Sequence, residues 1–333
     1  MKTTSVNIMN LCVPCENRCR YCLLSWNGKL SGVEYARSVS YARRFYRWVR
    51  ENRPELMLTF GFGYSMEHPR LLDAIDFMNE IGSPTGRFLQ LDGMKFRDPA
   101  QIRSFLSGVQ AHGVELIDLT FYGTREYHDR FAARPGDFDF LLDILCQANA
   151  LGLAVEVGIP LTRENAGQAD SLIEELERFP LSRLFCFIPH QEGRGISLNR
   201  VRFRHEDYTA LGQRGKRHLN TTRFRPEGQW LAENQFSVPQ ERALYLSLTG
   251  ENMAFFEQLP FAETIAYLEE LDDAYYRTVP SLGELAERYG EPDNTEYYSE
   301  RDLYLKYQHR YITGNKIEIY DINDERQCSS RRF

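Results

Sequence analysis

Cysteine is scarce in this chain: seven in 333 residues. The number is odd, and Met1 to Asn10 carries no apolar run of the kind that opens an exported protein, so a disulfide framework is excluded as the organising principle. Nowhere does the sequence reach the ~20 uninterrupted apolar residues of a membrane span. Excess positive charge is missing as well. The formal net charge of −7 weighs against general nucleic-acid binding through phosphate contacts. A soluble, cytoplasmic protein is expected. With 42% hydrophobic residues, a sizeable core is available, in one large α/β domain with an appendage or in two domains.

What cysteine there is lies crowded together. The stretch LCVPCENRCRYCLLSW, Leu11 to Trp26, holds Cys12, Cys15, Cys19 and Cys22. Two metal chemistries compete for it. Cys12-x2-Cys15 and Cys19-x2-Cys22 resemble paired zinc knuckles, although structural zinc sites usually part their pairs by a dozen or more residues, so that two elements converge on the ion. The bacterial ferredoxin spacing C-x2-C-x2-C-x3-C is not present either. The inner trio is Cys15-x3-Cys19-x2-Cys22, with Tyr21 directly before its last member. In this the chain resembles the radical S-adenosylmethionine (radical SAM) superfamily, whose signature is CxxxCxxC with an aromatic residue at that place. The resemblance implies that three thiolates hold three irons of a [4Fe–4S] cluster and leave the fourth iron open to SAM. It further implies reductive cleavage of SAM to a 5′-deoxyadenosyl radical that abstracts hydrogen from a substrate. Cys12 then falls outside the ligand set, as a small buried hydrophobe. The alternative is a non-catalytic zinc or iron–sulfur protein using all four cysteines.

Periodicity gives alternating strands and helices through the first two thirds. Strands are expected at Ser5–Val13, Leu56–Phe62, Phe88–Leu91, Leu116–Phe121, Leu153–Ile159 and Leu184–Ile188. Helices are expected at Glu34–Glu51, Arg70–Ile81, Pro99–His112, Phe138–Leu151 and Ala169–Arg178. The fold class is therefore α/β. A doubly wound sheet would give the same order, whereas the resemblance implies a partial (β/α)6 TIM-like barrel over residues 1–195, with its functional residues at the strand carboxyl ends.

Strand ends supply the remaining candidates. Gly61-Phe62-Gly63-Tyr64 to His68-Pro69 is similar to the family's GGEP stretch, with Gly63 as the backbone contact to the SAM amino group and Tyr64 where the family has an acid. Thr120-Phe121-Tyr122-Gly123, His128-Asp129 and Arg134-Pro135-Gly136-Asp137-Phe138 resemble a family block in which a strand-four hydroxyl binds the ribose and an arginine holds the methionine carboxylate. This assigns Thr120 and Arg134, with Arg130 as the other arginine; Tyr21 joins them as a cofactor-binding residue. Asn165, in a turn similar to the family's V-T-x-x-N, is expected to cap the following helix. Val157, Ile159, Phe187 and Ile188 are candidates for an adenine wall.

Residues 196–333 are expected to form a mainly helical extension that binds substrate or closes the barrel. Its helices are Asp207–Leu219, Pro239–Leu248, Phe261–Tyr276, Leu282–Tyr289 and Arg301–Tyr311, with a short strand at Lys316–Ile322. Ser281 and Glu284 form a capping box. Nine cations fall between Arg194 and Arg225, either as a solvated face or as a site for an anionic substrate. The remaining cysteines are scattered: Cys146 and Cys186 are expected in the core, and Cys328 is a candidate hydrogen donor if the tail folds over the barrel mouth. Expected partners are a small-molecule or peptide substrate and a reducing protein such as flavodoxin or ferredoxin.

Overall fold

The computed structural model describes residues 1–10, 15–22, 32–61, 66–191 and 193–319; Cys12, Gly63, Tyr64 and Cys328 lie outside the described residues. Strand β1 (Lys2–Asn10) leads to α1 (Tyr35–Asn52), β2 (Met57–Gly61), α2 (Leu71–Glu80), β3 (Phe88–Gln90), α3 (Pro99–Ala111) and β4 (Leu116–Thr120). Two helices follow, α4 (Arg125–Ala132) and α5 (Asp137–Ala150), then β5 (Ala154–Pro160), α6 (Ala169–Leu176) and β6 (Arg183–Phe187). Helix starts follow local chemistry. Asp98 and Gln101 form a reciprocal capping box around Pro99 at the head of α3, and Glu34 accepts from the first amides of α1.

The second part of the chain comprises α7 (His205–Ala210), α8 (Gln213–His218), β7 (Arg225–Pro226), α9 (Glu227–Glu233), β8 (Glu241–Leu248), α10 (Met253–Gln258), α11 (Phe261–Thr278), α12 (Leu282–Tyr289), β9 (Tyr297–Tyr298) and α13 (Glu300–Gly314). Two parallel sheets carry the fold, β3-β4-β5-β6 and β2-β1-β8, with helices packed on one face. The result is a partial barrel that does not close.

The inner face of the larger sheet is polar. Parallel pairing aligns Gln90, Asp118, Glu156 and Arg183 in one row, and Thr120, Gly158 and Phe185 in the next. The alternate positions Ile117, Leu119, Val155 and Val157 are buried against the helices. A strand that carries Asp118 between Ile117 and Leu119 is thus explained by its period of two: one face meets helices and the other meets a cavity.

Several expectations change. Pro239–Leu248 is no helix: Glu241–Leu248 is β8, parallel to β1, and its burial alternates strictly along the strand. Its Ala, Leu and Glu content suggests a helix, but Leu244, Leu246 and Leu248 recur every second residue and all face the core. The extension is therefore not purely helical and contributes a strand to the barrel sheet. Asp207–Leu219 is broken into α7 and α8. Between them Gly212 lies so close to Asp170 that a Cβ would sit 1.9 Å from its carboxylate, which accepts from the Gly215 amide at 2.9 Å. Lys316–Ile319 forms no strand, and Cys146 is exposed. The capping box on α12 is present as expected.

One large core cluster runs from Val6 through Phe203 and Leu244 to Leu268, and a second joins Trp230, Tyr275, Leu285, Leu303 and Tyr307. Arg242 of β8 ties them to β1: its guanidinium reaches Thr3 Oγ1 at 3.0 Å, Asp272 Oδ2 at 3.0 Å and Asp273 Oδ1 at 2.6 Å. Asp272 is fully buried. Withdrawing the cation from a buried carboxylate costs more than the pair itself contributes, so Arg242→Ala is expected to lose about 3 kcal/mol of stability in urea unfolding.

Candidate functional site

Residues 15–22 are held from two sides. The Glu16 amide donates to Gly93 O at 2.9 Å, and the Arg18 and Arg20 amides donate to Ala132 O and Phe131 O at the end of α4. Gly93 has φ +79°, and a Cβ there would lie 2.1 Å from Cys15 Sγ. Only glycine leaves room for that thiol.

Beneath the loop runs a buried polar network. Asp137, with no solvent exposure, accepts from His128 Nε2 at 3.1 Å, Asn17 Nδ2 at 3.1 Å and Arg134 Nη1 at 3.0 Å. Arg134 also donates to Asn17 Oδ1 at 3.2 Å and stacks over the Phe96 ring, its guanidinium carbon 3.8 Å from the centroid. On its other side, His128 Nδ1 accepts from the Tyr122 amide at 3.1 Å. The loop residue Asn17 and the end of β4 are thereby locked to one carboxylate. Full satisfaction of every member is what makes such a network rigid rather than costly.

Cys15, Cys19, Tyr21 and Cys22 line a cavity of about 420 Å³ at the carboxyl ends of the strands, together with Asp92, Asp118, Thr120, Tyr122, Gly158 and Phe187. Arg183, His190, His218, Asn220 and Arg223 line it too, from β6 and the chain beyond. Thr120 and Tyr21 thus stand beside the three thiols. Arg134 does not: its guanidinium is spent on the network under the loop, and it does not line the cavity. Arg130 stacks on Tyr127. Phe187 is the one adenine-wall candidate on the cavity; Val157, Ile159 and Ile188 are core. Asn165 stands at the N-cap position of the 3-10 turn Ala166–Gln168, but its side chain makes no cap hydrogen bond. Its side chain donates to Tyr122 O and Pro160 O, both at 2.7 Å, and accepts from the Thr162 amide at 2.7 Å, pinning the ends of β4 and β5 together.

Several residues of the site belong to no expected motif. Asp92, in the Asp-Gly pair after β3, accepts from the Thr120 amide at 2.9 Å and from Gln90 Nε2 at 3.0 Å. Its strand-end position was the available signal. His190 donates from Nδ1 toward Asp302 Oδ1 at 3.1 Å, and Asp302, fully buried, also accepts from the Gln191 amide and Ser299 Oγ. No sequence signal joins residues 112 positions apart. In the basic segment, Arg204, Arg214, Arg217 and Arg225 have carboxylate partners on the protein, and Arg202 is buried on Gln191.

Burial pushes the Cys15 thiol up to about 11 and Cys19 higher still, with the charges of Asp92 and of neighbouring cysteines adding to both shifts. Such thiols keep their protons until a more strongly charged group displaces them, as a metal centre does. Among the described residues, no three His, Cys, Asp or Glu side chains converge as ligands of a single ion. The three sulfurs line one cavity of about 420 Å³, and three thiolates on separate irons are the protein donor set of a polynuclear centre. A [4Fe–4S] cluster fits this donor set.

No family model matches the chain, and no curated protein does. Among solved structures it is similar to coproporphyrinogen III oxidase from Escherichia coli, a radical SAM enzyme, at 12% identity and a TM-score of 0.39, covering 60% of this chain and 47% of that one. It is similar to methylornithine synthase at 14% identity and 0.37, covering 56% and 54%. A radical SAM methyltransferase from Kitasatospora setae, solved with tryptophan and a SAM analogue, gives 11% and 0.37 over 56% and 36%. The chain spans about half the length of the first two and less of the third. Likeness this loose leaves the chemistry to the chain's own residues. No helix among the described residues is long and apolar enough to cross a membrane.

Burial, then the charges of Asp92 and Glu156, push Asp118 up to about 7. An unfolded aspartate releases its proton near pH 4. Between those values the folded protein binds more protons than the unfolded chain, so stability falls as pH rises and levels off above about 7. Asp118→Asn is expected to remove that slope in the metal-free protein. Urea unfolding should show the variant ahead by on the order of 2 kcal/mol at pH 8, after allowance for water in the cavity, and level with wild type near pH 4.

Proposed function

We propose that the protein is a radical SAM enzyme, with Cys15, Cys19 and Cys22 holding a [4Fe–4S] cluster in the cavity and SAM bound beside it. The observation that carries this reading is the convergence of the three cysteines, Tyr21 and Thr120 on one cavity at the carboxyl ends of parallel strands. When bound, the cluster supplies the electron for reductive cleavage of SAM and so the means to abstract a hydrogen atom from a substrate.

The chain's own residues prepare the place. Gly93 admits the Cys15 thiol, and the Asp137 network holds the loop at a fixed height over β4. Thr120, whose amide is fixed by Asp92, offers a hydroxyl at a strand end for a ribose oxygen. The missing side chain of Gly158 makes room for the rings of Phe185 and Phe187, which with Tyr21 give the cavity an aromatic wall for a nucleoside to pack against. Arg134 acts as a positioning residue for the loop, in place of the carboxylate contact expected of it. Gly63 remains assigned to the SAM amino group by resemblance. The substrate is a small molecule or peptide that enters along the cavity past His190 and Arg223, and the electron comes from a small carrier of the flavodoxin or ferredoxin type.

Anaerobic reconstitution tests the reading. About four irons per chain are expected, with an electron paramagnetic resonance signal after dithionite reduction that changes on addition of SAM, and with 5′-deoxyadenosine as product. Cys15→Ala, Cys19→Ala and Cys22→Ala should each lose the cluster, Cys12→Ala should keep it, and Gly93→Ala should retain several-fold less iron. One zinc per chain, lost in Cys12→Ala, with no response to SAM, would overturn the proposal in favour of a four-cysteine structural site.

A further inference from the structure

Tyr122 is placed differently from the other aromatic residues of the cavity. Its hydroxyl lies 3.0 Å from Cys19 Sγ. The ring is 1% exposed and wedged among His128, Phe131 and Tyr21, with centroids at 4.8, 4.7 and 5.6 Å. Its backbone is fixed as well, the amide donating to His128 Nδ1 and the carbonyl accepting from Asn165. Neither ring nor hydroxyl has freedom to turn away. Behind it stands Tyr21, whose ring meets that of Tyr122 edge-on.

While Cys19 is a thiol, either atom of the pair can donate. A sulfur bound to iron carries no proton, and the tyrosine must then be the donor. We propose that Tyr122 donates a hydrogen bond to the Cys19 sulfur of the cluster and raises its reduction potential; this rests on the ligand set proposed above. The physical reason is differential. Reduction adds one negative charge, spread in part over the ligand sulfurs, and a fixed O–H dipole on a buried ring stabilises the reduced form more than the oxidised one. A ring present only to fill space would serve equally well as phenylalanine, so the two roles separate cleanly.

The experiment is a redox titration of the reconstituted protein, read by electron paramagnetic resonance, for wild type, Tyr122→Phe and Tyr127→Phe. Tyr127 makes the same chemical change away from the sulfur, its hydroxyl bonding to Glu164 at 3.1 Å. At a fixed solution poise, Tyr122→Phe is expected to show a roughly fivefold smaller ratio of reduced to oxidised cluster, the size of one lost hydrogen bond, while Tyr127→Phe matches wild type. A second measurement needs no variant. In wild type reconstituted in D2O, the Fe–S stretching bands of the resonance Raman spectrum should shift from their positions in H2O. An unchanged midpoint in Tyr122→Phe, an equal shift in Tyr127→Phe, or Raman bands indifferent to deuterium would overturn the inference. Wild type that binds no four-iron cluster would instead overturn the ligand set itself, which the iron content shows before any titration begins.

Discussion

A single carboxylate organises the candidate site. Asp137 has no contact with solvent, and its two oxygens take hydrogen bonds from an imidazole, an amide and a guanidinium. Burying that charge without partners would cost several kcal/mol; with three donors it becomes a rigid junction. Through Asn17 it sets the cysteine loop, through His128 it sets the end of β4, and through Arg134 it closes the gap between them. The height of three thiols above the sheet is therefore fixed by side chains that never reach the cavity.

The second constraint is the polar inner face of the half-barrel. A closed barrel of this strand type fills its interior with branched apolar side chains. Here the interior rows present Asp118, Thr120 and Gly158, and the apolar residues of the same strands turn outward to the helices. The open architecture and the chemistry of the inner face agree: a sheet that does not close has no interior to pack, only a slot to line.

Much of this was legible in the sequence. The six strands and the five expected helices between them stand within a few residues of where periodicity places them, since each parallel strand is a short apolar run and each of these helices carries a recognisable stripe or cap; α4 is the helix the sequence does not announce. The cysteine trio announces itself by spacing. The rest depends on contacts that sequence does not encode locally. Arg134 reads as a ligand-binding arginine until Phe96 and Asp137 are seen to claim it. Asn165 reads as a cap, although its amide is used to join two strand ends. β8 has the composition of a helix, and only its register beside β1 shows that the alternation of its leucines is the stronger signal.

That last strand has a bearing on how the protein comes into being. Thr3 and Arg242 are hydrogen-bonded although 239 residues separate them, and β1 has β2 on one edge and β8 on the other. During synthesis the strand that leads into the cysteine loop waits, one flank bare, until the strand that carries Arg242, 239 residues on, has left the ribosome. Long-range pairing of this kind is slow to form. An inorganic centre that needs β1 paired on both flanks would then be assembled only once β8 is made, on a finished receptacle rather than a nascent thread.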